Sequence, residues 1–137
     1  MKIMTVPARM EYLDKIMEMV ENLLEQAGSS EPEKFHVLMA VEEIFTNIAS
    51  YAYVEKDGEV RVSCGLNGEQ DNKKIRITFC DWGIPYDPLK KQDPDFDIPL
   101  EERAIGGLGI FMVKKYMDHI EYGRMDDCNI LTIEKNL

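Results

Sequence analysis

Three short runs carry residue types that could do chemistry together: Glu43-Ile-Phe-Thr-Asn47, Asp81-Trp-Gly83 and Gly106-Gly-Leu-Gly109. On a helix, Glu43 and Asn47 are i, i+4 neighbours, so their side chains share a face at about 5–6 Å between Cβ atoms. An amide oxygen ligates Mg²⁺ without adding charge, and a carboxylate one turn away can orient a water or a hydroxyl for in-line attack. A fixed Asp81 carboxylate would accept from the exocyclic amino group of adenine and repel the oxygen that guanine presents there. Gly83 lets the backbone approach a flat ring closely. The glycines from Gly106 to Gly109, just before an apolar-periodic helix, offer unencumbered N–H groups to an anion. Taken together, the runs assemble a small ATP site.

Each run also has a plainer reading. Glu43 and Asn47 fit a solvated helix pair, and Asp-x-Gly is a common strand-closing turn. The Gly106–Gly109 run fits a flexible hinge, and it is neither a G-x-G-x-x-G after a strand nor a Walker A loop. Their ordered conjunction is what favours a nucleotide.

Periodicity indicates the elements that must position these runs. Residues 1–6 read as an opening strand. From Pro7 a helical pattern places Leu13, Ile16, Met17, Val20 and Leu24 on one face, ending at Gly28. Ser30 is suited to cap a second helix over about 33–53, with Val37, Leu38, Val41, Ile44, Phe45 and Ile48 as its buried stripe. The period then falls to two. Val60, Val62, Cys64 and Leu66 alternate, as do Ile75, Ile77 and Phe79, so 59–66 and 74–80 predict an antiparallel hairpin. A proline-rich, charged stretch over 84–105 has the character of a lid. A helix from Leu108 to about Met117 and strands at 120–124 and 130–134, turned by Asp126-Asp127, complete the chain. The expected fold is α+β, a two-layer α/β sandwich whose mixed, mostly antiparallel sheet has helices on one face.

Composition narrows the classes of function. At 137 residues the chain is expected to form one domain, and its hydrophobic fraction of 45% suits a globular core. A net charge of −10 with no basic cluster argues against nucleic-acid binding. No apolar run is long enough to span a bilayer, and no secretory segment opens the chain, so a cytoplasmic protein is expected. Cys64, Cys80 and Cys128 are spread singly, which suggests neither zinc nor a disulfide framework, and Cys64, alternating with Val60, Val62 and Leu66, is expected to pack in the core.

Glu43…Asn47, Asp81-x-Gly83 and Gly107-x-Gly109 resemble the N, G1 and G2 boxes of the GHKL (Bergerat-fold) ATPase superfamily. Asp81-Trp-Gly-Ile-Pro-Tyr-Asp-Pro88 and Gly106-Gly-Leu-Gly-Ile-Phe-Met-Val-Lys-Lys-Tyr-Met-Asp118 are similar to its anti-sigma-factor serine/threonine kinase branch. The resemblance runs from about Pro7 to the C-terminus. It implies Glu43 as catalytic base, Asn47 as Mg²⁺ ligand, and Asp81 with Gly83 as the adenine site. It also implies phosphate contacts from Gly106, Gly107, Leu108 and Gly109, and an ATP lid over 88–105. Arg103 is a further candidate phosphate contact, although it also fits a solvent-exposed charge run. Two positions depart from the superfamily pattern. Pro85 stands where many members have glycine, and Tyr51 where relatives often have histidine.

The implied function is a Mg-ATP-dependent protein kinase that phosphorylates a small antagonist protein in a partner-switching pathway, with a sigma factor as a second partner and a homodimer as its assembly. The alternatives are a non-catalytic ATP-dependent module that sequesters a sigma factor or other regulator, and a stand-alone ATPase. A sensor histidine kinase is disfavoured, because the roughly 30 residues before the second helix leave no room for a phosphoaccepting helix pair. His36 is then a surface or helix-packing residue.

Overall fold

The computed structural model describes residues 1–69, 71–90 and 108–137. Strand β1 (Lys2–Pro7) leads through one 3-10 turn to helix α1 (Leu13–Gln26), followed by α2 (Glu31–Tyr51). Strands β2 (Glu59–Asn67) and β3 (Lys74–Asp81) come next, and then α3 (Leu108–Tyr116), β4 (His119–Met125) and β5 (Cys128–Asn136). The sheet order is β1-β2-β3-β5-β4. All four pairings are antiparallel, a stricter arrangement than the mixed sheet expected.

Local chemistry explains the element ends. Ser30 Oγ accepts from Glu33 N–H while Ser30 N–H donates to the Glu33 carboxylate at 2.8 Å, a reciprocal box that starts α2. Gly28 takes φ +70° after the last turn of α1, which a residue with a side chain adopts at a cost. Asp126 and Asp127 both take positive φ, so the β4–β5 hairpin closes on two left-handed residues whose twist matches the strands. The first helix begins later than Pro7, because Pro7 remains in β1 opposite Glu59 and Ala8 N–H adds a bond to Gly58 O.

The core lies between the helices and one face of the sheet. Phe45, Ile44 and Val41 of α2, with Ile16 and Val20 of α1, pack on Val62, Ile77, Phe79 and Ile133. At about 25 cal/mol per Å² of apolar area, burial of these side chains is the main stabilising term. Helix α2 packs against both α1 and α3, which makes it the central beam of its layer. Cys64 is buried in this core as its alternation implied, and burial pushes its thiol up to about 11. Burial first, then the neighbouring Cys80, pushes Cys128 up to about 11 as well. Both stay protonated and unreactive at neutral pH. The opposite face of the sheet is polar, with Thr78 and Thr132 hydroxyls 3.3 Å apart and Lys74 paired to Glu134 at 3.2 Å.

Candidate nucleotide site

The strand order brings together residues that lie far apart in sequence. Because β5 inserts beside β3, Asp81 at the end of β3 sits directly opposite Asn129 on β5. Both face the helix layer, and they are only 4% and 5% exposed. Burying a carboxylate and an amide is costly unless their polar atoms are paired. Here they pair with each other: Asn129 Nδ2 donates to Asp81 Oδ1 at 3.0 Å. Gly83 N–H donates to the same oxygen at 3.0 Å, closing the Asp-x-Gly turn. Among the described residues, both bonds to this carboxylate fall on Oδ1, so Oδ2 remains an acceptor for a ligand.

A cleft opens between this strand end and α2. Asp81 and Asn129 line it from the sheet, Asn47 and Ile44 from α2, and Tyr122 and Leu131 from the neighbouring strands. The lining is mainly apolar with a few convergent polar groups, the usual make-up of a small-molecule site. Gly83 is needed where it stands, since a Cβ there would collide with the Ala52 carbonyl. That close approach also lets Ile84 N–H bond Ala52 O at 2.8 Å, tying the turn to the end of α2. Tyr53 adds a second tie, its hydroxyl accepting from Trp82 N–H at 2.9 Å. Burial raises the pKa of that hydroxyl, so it remains protonated.

Further along α2, Asn47 Nδ2 donates to Glu43 Oε1 at 3.4 Å. The i, i+4 pair expected from spacing therefore forms, with both side chains half-buried. Gly109, in the first turn of α3, lies so near the Glu43 carboxyl that a Cβ would overlap it. The carboxylate is thus set against the N-terminal end of a helix, where the backbone dipole favours negative charge. Asn47 and Asp81 thus line the cleft, with Gly83 bonded to Asp81, Glu43 bonded to Asn47, and Gly109 against the Glu43 carboxyl. Arg103, Gly106, Gly107 and the lid beyond Lys90 lie outside the described residues.

The donor set suits Mg²⁺ in one respect. With its amide N–H spent on Glu43, Asn47 turns a neutral carbonyl oxygen into the ligand it can offer. No group of three or more His, Cys, Asp or Glu among the described residues could hold a metal alone. Mg²⁺ held by one protein oxygen, waters and phosphates needs no such cage.

Sequence reasoning did not find Asn129, Tyr122 or Arg124. Asn129 Oδ1 accepts from Arg124 Nη1 at 3.0 Å, from Tyr122 OH and from Tyr86 N–H at 3.4 Å. The available signal was an amide alternating with Leu131 and Ile133 on the core-facing side of β5. His36, by contrast, packs between helices as expected, its ring stacked on Tyr116 at 4.1 Å. Tyr51 reaches the cleft rim, 6.0 Å from the Tyr86 ring. Among the described residues, no helix is long and apolar enough to cross a membrane.

Comparison with known proteins agrees with this geometry. Serine-protein kinases RsbW of Bacillus thuringiensis and Bacillus cereus are each 29% identical over 122 residues, which is 86% of this chain and 74% of theirs. The crystal structure of the RsbU and RsbW domains of a Mycobacterium tuberculosis protein superposes with a TM-score of 0.65 at 12% identity. That match covers 98% of this chain and 32% of the other, and it shows a shared fold. The model of the histidine kinase-like ATPase domain matches residues 6–135, with the paired helix residues, the Asp-x-Gly turn and the start of α3 all inside the match, and the chain belongs to that family.

Proposed function

We propose that the protein is an ATP-binding serine/threonine protein kinase of the anti-sigma-factor type, which phosphorylates a small antagonist protein in a partner-switching pathway. One observation carries the reading: Asp81 and Asn47, from separate elements, line a single cleft, and Asn47 is bonded to Glu43, whose carboxyl lies against Gly109. The names of the Bacillus relatives support a serine acceptor. A sigma factor as second partner and a homodimer are proposed on the family resemblance alone, as is the ATP lid around 88–105.

In this reading Asp81 Oδ2 accepts the adenine amino group, and Gly83 allows the ring to lie close to the backbone. Asn47 holds Mg²⁺ through its carbonyl oxygen; that ion, when bound, neutralises charge on the phosphates. Glu43 receives the proton of the acceptor hydroxyl, within one helical turn of Asn47. The N–H groups at the start of α3, with Gly106, Gly107 and Leu108 leading into Gly109, favour the phosphoryl charge. Arg103 is a further candidate phosphate contact on the family resemblance alone.

The test is incubation with γ-labelled ATP, Mg²⁺ and a candidate antagonist domain. Acid-stable phosphoserine or phosphothreonine on the antagonist is expected, and Glu43→Ala should abolish it while ATP still binds. ATP binding without any transfer by the wild type would instead make the chain a nucleotide-dependent binding module.

A further inference from the structure

Asn129 is a heavily bonded side chain lining the cleft, and nothing in the proposed chemistry requires it to touch ATP. Its Nδ2 makes two donations, to Asp81 Oδ1 at 3.0 Å and to Ile84 O at 2.7 Å. Its Oδ1 receives Arg124, Tyr122 and Tyr86 N–H. An amide flipped in this setting would face its oxygen against a carboxylate and a carbonyl, and its NH₂ against three donors. The surroundings therefore allow one orientation. Arg124 extends the lock, since the same Nη1 also donates to Gly83 O at 3.2 Å. It reaches across from the edge strand β4 to the Asp-x-Gly turn, bracing both Asn129 and the turn.

We propose that Asn129, braced by Arg124, is the positioning residue that sets nucleobase choice by fixing which oxygen of Asp81 faces the ligand. Asn129 and Gly83 hold Oδ1 inside the protein, so Oδ2 is the atom presented to the base. The proposal rests on the reading that ATP occupies this cleft. It predicts behaviour that a merely structural asparagine would not produce. In Asp81→Asn, the two donors should keep the new amide's oxygen where Oδ1 was and turn its NH₂ toward the base. That NH₂ opposes the amino group of adenine and welcomes the carbonyl oxygen of hypoxanthine.

ATP and inosine triphosphate, which differ at that group, are therefore the probes, with dissociation constants measured on the full chain. The wild type should prefer ATP. Asp81→Asn should invert the preference, binding inosine triphosphate about tenfold more tightly, the scale of one well-placed donor or acceptor. Combining Asp81→Asn with Asn129→Leu leaves Gly83 N–H as the one remaining donor, so the amide should rotate more readily and the ratio should fall to within about threefold of unity. Arg124 is exposed, so Arg124→Met spares the fold, and with Asp81→Asn it should shrink the inverted ratio in the same direction by a smaller factor. An inversion that survives both clamp substitutions, or no inversion in Asp81→Asn, would overturn the proposal while leaving the ATP site intact. Failure of the wild type to bind either nucleotide would remove the site reading, and the proposal with it.

Discussion

The two ends of the cleft are built on different principles. At the strand end, Asp81, Asn129, Gly83 and Ile84 lock one another through bonds of 2.7–3.0 Å drawn from β3, β5 and the turn that follows β3. At the helix end, Glu43 and Asn47 meet at 3.4 Å, the outer reach of a hydrogen bond, and are set in place by the packing of α2 against α3. The strand end is preorganised to recognise a shape; the helix end holds groups that can adjust as a reaction proceeds. Recognition tolerates no rotation of a carboxylate, whereas proton transfer needs a side chain able to approach its substrate.

The largest expected effect separates the two ends. Glu43→Gln keeps the shape and removes the base, so phosphate transfer should fall about 10²- to 10⁴-fold while ATP affinity changes little, as single-turnover labelling and titration calorimetry would report. A Gly109→Ala substitution meets the movable end of the Glu43 side chain. It should displace that carboxylate and cut transfer about tenfold or more, with a melting temperature close to wild type.

Gly83→Ala makes the opposite pattern at the strand end. Its Cβ meets the backbone carbonyl of Ala52, which cannot swing away. Stability should drop by about 1–3 kcal/mol in denaturant titrations, with weaker ATP binding accompanying it. If Gly109→Ala proved the more destabilising of the two, the contrast between a rigid and an adjustable end would be lost.

The smallest effect lies outside the cleft and calibrates the rest of the core. Cys64 has its thiol raised from 9.0 to about 11 in the folded protein. A neutral thiol is favoured in the fold, so this contribution is complete below about pH 9 and is lost as pH rises through about 11. The stability of wild type relative to Cys64→Val should therefore decline by about 1–2 kcal/mol across that window. A flat difference would show that the thiol is more hydrated than its burial implies.

Much of the fold was legible because local chemistry determined it. Alternation in Val60–Leu66 and Ile75–Phe79 gave the hairpin, Ser30 gave a helix start, and Asp126-Asp127 gave the tightest turn. The Glu43–Asn47 pair was legible for the same reason, since helical spacing alone brings it together. The insertion of β5 between β3 and β4 was not, because strand order depends on non-local pairing that no periodicity encodes. Asn129 was missed in consequence. Its meaning depends on sitting opposite Asp81, and only the sheet register puts it there.

ATP binding by the wild type and by Asp81→Asn, measured by calorimetry in the presence of Mg²⁺, bears most directly on whether this cleft is a nucleotide site. One ATP per chain should bind to the wild type, and the substitution should weaken binding by about tenfold or more, because it sets a donor against the adenine amino group. Equal affinity in the two proteins, or no binding by the wild type, would contradict the assignment of Asp81 and the cleft it anchors.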